Sequence, residues 1–367
     1  MKECRDIKEG LEGSRYIGEL PLGCKLCYQG AKAVIFLTGI CYEKCYYCPI
    51  SSVRRNKDVM YVNEEKAETF NEVLREIYEM KALGASITGG EPLIYPQRVI
   101  RIIKFLKNVL GENFHIHLYT IGKHLARELL AKLYNEGLDE IRFHVRDWRV
   151  LKNVELAIKH TGLDVGIEVP VIPGLKKYYF KLIREAEKLG VKFINLNEME
   201  FTESNEVELR RRGFKLKKDS YVAVEGSEEL AIEILKWSSC NTEKITIHYC
   251  SVAYKDKVQT RRRLLRKAQE IAKPYEEITR EGLLRHIVLK VPKNLWRKDV
   301  ESKMLLTKLP LDIVYGEEDV QVLLHPHALR HITGGLYSSG IRYFKAYIVE
   351  KYPTRNNVVK NIIPLVF

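Results

Sequence analysis

The sequence lacks any apolar run long enough to cross a bilayer. Stretches such as AVIFLTGI (33–40) fall far short of the roughly 20 residues that a membrane helix needs. It also lacks internal repeats and low-complexity linkers, which argues against solenoid and array architectures. Its first ten residues, MKECRDIKEG, are polar and charged and lack the apolar core of a secretion signal. A cytoplasmic protein with no membrane partner is therefore expected. Glutamine is scarce, with five in 367 residues, while Lys, Glu, Ile and Tyr are plentiful. That balance leans towards a heat-adapted source, a thermophile.

What is present is a large chain with 46% hydrophobic and 30% charged residues, enough for a sizeable core and two domains. Eight cysteines in such a chain point to metal ligands or catalysts before disulfides. The net charge of +13 is uneven. From Lys255 onward, 22 Lys and Arg face 12 Asp and Glu, a balance of +10, whereas the preceding 254 residues carry only +3.

From Ala33 to about Glu198 short aliphatic runs alternate with longer amphipathic stretches. Strands are expected at 33–39, 85–89, 114–120, 139–145, 164–171 and 191–199. Helices are expected near 64–83, 96–110, 123–136, 149–161 and 177–190. In the first of these Phe70, Val73, Leu74, Ile77 and Tyr78 make one face. This alternation implies a parallel α/β sheet, open or partly closed into a barrel. The strands read as apolar throughout, as when both faces are covered. Beyond 200 come helical stretches at 203–213 and 227–237, then KITIHYCS, then a basic helix that ends near Pro274. A mixed α+β segment follows. Four regions result: 1–32, 33–200, 201–254 and a basic domain at 255–367.

The chemistry concentrates just after two strands. In CYEKCYYC, Cys41, Cys45 and Cys48 follow the first strand through Thr38-Gly39-Ile40, so one helix across 41–48 is disfavoured, and Pro49 ends the segment. Three thiolates on one loop suit three irons of a 4Fe–4S cube, leaving the fourth iron open. In SITGGEP, Gly89 and Gly90 permit close backbone approach, and Glu91 places a carboxylate at the rim, suited to an ammonium group. Taken alone, three clustered cysteines also fit structural zinc or buried thiols, and a lone GGE fits a turn.

The joint order, strand, CxxxCxxC, helix, strand, GGE, helix, resembles the radical S-adenosylmethionine (SAM) superfamily, and most of all the group related to pyruvate formate-lyase activating enzyme. The resemblance spans residues 30 to 200. It implies a partial (β/α)6 TIM-like barrel, here followed by a smaller C-terminal α+β domain. It implies a cluster on Cys41, Cys45 and Cys48 whose open iron takes SAM. One electron from a reducing donor then cleaves SAM to methionine and a 5′-deoxyadenosyl radical, which abstracts hydrogen from a substrate. Carried over by position, Gly89, Gly90 and Glu91 hold the methionine amino end and Tyr47 lies by the adenine. Tyr119 in HLYT, Glu168 in GIEVPVIPG, and Asn195, Asn197 and Glu198 at the end of the sixth strand fall where ribose, adenine or substrate is contacted.

Cys24 and Cys27 form a CxxC pair before the first strand, half a metal site. Cys240 and Cys250, with His248 as a substitute, complete it in one reading, joining the segment before the barrel to the segment after it. Zinc and a second 4Fe–4S cluster both remain open, and so do unrelated thiols. Cys4 reads as a spectator.

The substrate is less defined. Lys255, Lys257, Arg261, Arg262, Arg263, Arg266 and Lys267 form a basic stretch, and Tyr337, Tyr343, Tyr347 and Tyr352 are available to stack. RNA modification is thus the first expectation. A protein- or peptide-activating enzyme is the alternative, with a small metabolite behind it. A non-catalytic metal- or nucleic-acid-binding protein is the reading from another class. No cobalamin-binding domain is visible, which weighs against cobalamin-dependent methylation.

Overall fold

The computed structural model describes residues 3–123, 125–298, 301–302, 308–338, 340–341 and 344–366. The chain divides into two compact units. One runs to Thr260 without Glu79–Lys81, and the other takes those three residues and everything from Arg261.

The first unit is built on one sheet. Its strands are β1 (Lys8–Glu9), β2 (Arg15–Ile17), β3 (Lys32–Thr38), β4 (Met60–Val62), β5 (Glu65–Ala67), β6 (Gly84–Gly89), β7 (His115–Thr120), β8 (Glu140–Phe143), β9 (Asp164–Val171), β10 (Phe193–Glu198) and β11 (Thr246–Cys250). Their spatial order is β1-β2-β11-β10-β9-β8-β7-β6-β3-β4-β5. The run from β3 through β6–β10 to β11 is parallel. The six expected strands are therefore present, and KITIHYCS adds a seventh parallel one. The β1–β2 hairpin pairs antiparallel with β11, and the β4–β5 hairpin pairs antiparallel with β3. β3 and β11 do not pair with each other, so the barrel is partial and its two margins are closed by hairpins.

Helices α1 (Leu22–Tyr28), α2 (Phe70–Glu79), α3 (Pro96–Leu110), α4 (Arg127–Asn135), α5 (Leu151–His160), α6 (Lys176–Leu189), α7 (Glu206–Arg211) and α8 (Ser227–Asn241) connect these strands. α2 begins later than its apolar periodicity predicts. Residues 65–67 are a strand, and Thr69 and Glu72 form a capping box: the Glu72 carboxylate accepts from Thr69 N at 2.9 Å, and Glu72 N donates to Thr69 Oγ1 at 3.3 Å.

The strands are not apolar on both faces. Ile35, Ile87, Leu118, Ile141, Ile167, Ile194, Leu196 and Ile247 are fully buried on the face that the helices cover. The alternate positions carry His117, Tyr119, Glu140, Arg142, Glu168, Asn195, Asn197 and His248. The period of two thus divides a dry outer layer from a polar interior.

The second unit has strands β12 (Glu277–Ile278), β13 (Leu284–Pro292), β14 (Leu311–Tyr315), β15 (Asp319–Leu324), β16 (Lys345–Lys351) and β17 (Val359–Leu365). They form an antiparallel sheet of order β14-β15-β13-β16-β17, with β12 on β13. Ile332 and Leu336 of a helix at Leu329–Ser338 pack on Ile287, Leu289, Val291, Val322 and Leu324. This is the expected α+β arrangement. The single basic helix is broken: Val252–Tyr254 is α-helical, Lys255–Thr260 is a π turn, and the helix resumes at Arg261–Ile271.

One expectation fails outright. Cys240, at the end of α8, forms a disulfide with Cys4, which is therefore no spectator. The segments before and after the barrel are indeed tied together, but by this bond and by β2–β11 pairing. The expectation against disulfides rested on the usual reducing cytosol, to which hyperthermophile proteins are an exception. The bond closes a loop of 236 residues. Cys240→Ser should therefore lower unfolding free energy by about 2–5 kcal/mol in denaturant titrations under non-reducing conditions. Equal stability of variant and parent would refute the linkage.

Candidate active site

The cysteine loop is held by backbone contacts at its entry. Glu91 N donates to Ile40 O and Gly90 N to Thr38 O, both at 2.8 Å. A Cβ on Gly89 would lie 2.3 Å from Thr38 O, and one on Gly90 would lie 2.2 Å from Ile40 O. Only glycines allow this approach. It brings the end of β6 against the chain that leads into Cys41. Within the loop Cys48 N donates to Cys45 O, and no helix forms across 41–48.

Cys41, Cys45 and Cys48 are free thiols that line one cavity of about 610 Å³. The same cavity is lined by Tyr47, Gly89, Gly90, Tyr119, Glu168, Asn195 and Asn197, and by Cys24, Cys27, His248 and Cys250. Sequence-predicted residues from α1, from the loop after β3, from the end of β6 and from β7, β9, β10 and β11 are thus brought together. Glu91 is an exception and a correction. It is 2% exposed and does not line the cavity. Its carboxylate accepts from Leu93 N (3.0 Å), Thr120 Oγ1 (2.8 Å) and Ile121 N (2.6 Å), so it fastens the end of β6 to the end of β7.

Among the described residues no three His, Cys, Asp or Glu side chains stand together so that they could hold a metal ion. A tetrahedral zinc needs ligands that converge on one point. A 4Fe–4S cube takes one thiolate per iron, so its three cysteines need not converge. Three free thiols on a non-helical loop over a cavity fit the cube. The expected second site fares differently. Cys24, Cys27 and Cys250 do face the same interior, but Cys240 is in the disulfide. Cys24 is engaged by Asn195 Nδ2 at 3.4 Å and Arg142 Nη2 at 3.5 Å. The His248 ring is held between Ser14 Oγ and Asn195 Oδ1, each at 3.1 Å.

The interior is organised by a residue that sequence reading missed. Arg142 donates to Glu140 (Nε–Oε1), to Glu168 Oε2 at 2.9 Å and to Tyr119 OH at 3.3 Å. Burial alone would lower its pKa, but Glu140 leads the neighbours that reverse this and hold it well above its ordinary value. Glu168 also accepts from Asn197 at 2.9 Å and Asn195 at 3.1 Å. Burial raises the Glu168 pKa, yet Arg142 and the two amides outweigh it and keep the carboxyl below its usual range. The sequence signal was Glu140 and Arg142 at i and i+2, on one face of a strand.

His144, also missed, bridges the cysteine loop and strand β9. Its Nδ1 lies 3.0 Å from the carbonyl of Glu168 and must carry the proton, so Nε2 accepts from Tyr47 OH at 3.0 Å. Burial lowers its pKa and favours this neutral form. Deeper, Lys32 Nζ lies 2.6 Å from His115 Nδ1. Burial depresses Lys32 to about 8 and His115 to about 2.

The basic stretch is largely committed to protein partners. Lys255 pairs with Glu200 at 3.3 Å and Lys257 with Glu12 at 3.2 Å. Arg266 donates to the carbonyls of Met80 and Lys81, Lys267 is buried, and Arg262 and Arg263 also have partners. Tyr337 packs on Phe344, and Tyr343 lies outside the described residues.

Against this geometry the comparisons are specific. A family model described as "Radical SAM superfamily" matches residues 35–195. A Methanocaldococcus jannaschii protein named "Putative glycyl-radical enzyme activating enzyme" is 37% identical over 360 residues, covering 95% of this chain and 93% of that one. The chain belongs to the radical SAM superfamily. It is an enzyme of that family, which works with a 4Fe–4S cluster and SAM. Similar solved structures include Streptococcus suis SuiB with its precursor peptide SuiA, at 12% identity over 63% of this chain and 52% of that one, TM-score 0.43. Another is Escherichia coli coproporphyrinogen III oxidase, at 13% identity over 60% and 56%, TM-score 0.36. The chain spans about half the length of these structures. Among the described residues no helix is long and apolar enough to cross a membrane.

Two outcomes follow from the buried charges. Arg142→Leu leaves Glu140, with no exposed surface, and Glu168 short of their cation, and should destabilise the fold by about 3–5 kcal/mol in urea titration. A loss below about 1 kcal/mol would remove Arg142 from the centre of the network. The Lys32 pKa is depressed in the fold, so the protonated lysine is disfavoured there. The penalty is complete below pH 8 and fades between pH 8 and about 10.5. Lys32→Met should therefore gain most over the parent at pH 7, and that advantage should shrink by about 3 kcal/mol by pH 10.5. A pH-independent difference would contradict the depressed pKa.

Proposed function

We propose that this enzyme binds its cluster through Cys41, Cys45 and Cys48 and acts as an activating enzyme, taking a hydrogen atom from a glycine of a partner protein. The single observation that carries the reading is the common cavity. The three loop thiols, the glycine pair and the polar residues of the strand interiors all border it. The name of the M. jannaschii relative supports the glycyl substrate. Cluster and SAM, held there, would supply hydrogen-atom abstraction: one electron from a reducing donor would break the S–C5′ bond of SAM, leaving methionine, and the deoxyadenosyl fragment would leave as 5′-deoxyadenosine carrying the substrate hydrogen.

The chain's own residues bind, orient and shield. Gly89 and Gly90 offer backbone to the methionine end, and Tyr47, steadied by His144, stands beside the adenine. Tyr119, Glu168, Asn195 and Asn197 offer polar groups to ribose and substrate from positions fixed by Arg142. Glu91 acts as a positioning residue through Thr120 and Ile121. RNA is not the preferred substrate, because most of the cations expected to hold phosphates already have protein partners, and such contacts dominate nucleic-acid affinity.

Reconstituted anaerobically with iron and sulfide and given SAM and dithionite, the enzyme should form 5′-deoxyadenosine. Cys41→Ala, Cys45→Ala and Cys48→Ala should each lower the yield at least ~100-fold with loss of bound iron. A variant that keeps both would take that cysteine out of the cluster set. Bulk tRNA should show no steep loss of binding between 50 and 200 mM salt. A steep loss would restore the RNA reading.

A further inference from the structure

Glu43, between the first two loop cysteines, is gripped from two sides. Lys123, beyond β7, contacts one carboxylate oxygen, and Arg146, beyond β8, donates to the other at 2.7 Å. The same Arg146 Nη1 lies 3.2 Å from Cys45 Sγ, and its guanidinium stands 6.0 Å from the Tyr47 ring centre. The chain Lys123–Glu43–Arg146 therefore ends on a cysteine sulfur. Arg55 reaches the same cysteine only at its backbone, Nη2 donating to Cys45 O at 3.5 Å, and Arg142, 3.5 Å from Cys24 Sγ, is already matched by two carboxylates. Arg146 shares its one carboxylate with a lysine, so this end of the chain carries net positive charge.

We propose that Arg146 is a positioning residue that raises the reduction potential of the cluster held by Cys45. The inference rests on the assignment of Cys45 as a cluster ligand. A cation that donates a hydrogen bond to a ligating sulfur stabilises the more negative, reduced cluster over the oxidised one. A 4Fe–4S cluster that must pass one electron to SAM needs a low potential, yet one its donor can still reach. Arg146 moves that value upward, and Glu43 offsets part of its charge.

The test is a dithionite titration without SAM, followed by the electron paramagnetic resonance of the reduced cluster, on the full chain. Arg146→Gln should lower the reduction equilibrium constant about tenfold, equivalent to about 59 mV for one electron. Arg146→Lys should restore part of the shift. Glu43→Gln should move the potential the opposite way, because the guanidinium is then less compensated. Iron and sulfide per chain are measured alongside. Full clusters with unchanged potentials, or shifts of the same sign in Arg146→Gln and Glu43→Gln, would overturn the inference. So would cluster loss in both, which would make the chain a mechanical clamp. If Cys45→Ala keeps a full cluster, it is the ligand assignment that fails, and the two failures are thereby distinguished.

Discussion

Arg142 is enclosed at the centre of the barrel and still charged, and much of the site depends on how that charge is matched. A buried guanidinium is tolerable only with carboxylates in hydrogen-bonding contact. Glu140 comes from the same strand face and Glu168 from the next strand. Glu168 is then held by Asn195 and Asn197, and Asn195 in turn touches Cys24 and His248. Five strands or strand-connected elements are thereby cross-linked through one cation. Such a network fixes side-chain geometry, and here it does so for residues that border the cavity, although among the described residues one oxygen of Glu140, Oε2, is buried without a hydrogen-bond partner. Its neighbour His117 is the counter-example. It is fully buried, and among the described residues neither ring nitrogen has a hydrogen-bond partner.

This polar interior explains which parts of the site could be read from sequence. The cysteine loop and the glycine pair stood out because their residue types are rare in combination and each follows a strand. The six strands were legible because their outward residues, Ile35, Ile87, Leu118, Ile141, Ile167 and Ile194, make regular aliphatic runs. The same runs hid the inward residues. EIRF and HIHLYT look like apolar strands interrupted by polar residues until period two is applied, which places Glu140 with Arg142 and His117 with Tyr119. The seventh strand was visible as KITIHYCS but lay beyond an irregular segment, so its parallel place beside β10 needed the register itself.

Glu91 shows a different limit. Sequence identified a carboxylate after two glycines but could not say which way it pointed. Because Gly89 and Gly90 let the backbone press on Thr38 and Ile40, the following residue is turned inward. Its oxygens then meet Thr120 and Ile121 instead of the cavity. The motif still serves the site, by joining the cysteine loop to β6 and β6 to β7. Its acid is spent on that join. An ammonium group placed in this cavity would find its carboxylate partner elsewhere, and among the lining residues Glu168 is already matched to Arg142.

The cysteines divide by what surrounds each sulfur. Cys4 and Cys240 are close enough to bond, and their bond holds the first residues against the end of α8. Cys24, Cys27 and Cys250 are pushed up in pKa by burial, Cys27 to about 11, and Cys24 serves as a hydrogen-bonding member of the interior network. Burial pushes Cys41 and Cys45 up as well, so the sets are separated by placement: a closed tetrahedral site needs its thiols to converge on one ion. Without Cys240 that set is one ligand short, and the remaining three do not converge. Cys41, Cys45 and Cys48 differ in lying on a loop that is held from outside, at Glu43 by Lys123 and Arg146 and at Gly39 by Lys57 and Asn56. Two of the sulfurs share in those contacts, Cys41 Sγ accepting from Glu43 N at 3.4 Å and Cys45 Sγ from Arg146 Nη1 at 3.2 Å, so the loop that is held from outside also fixes where its thiols meet the cavity.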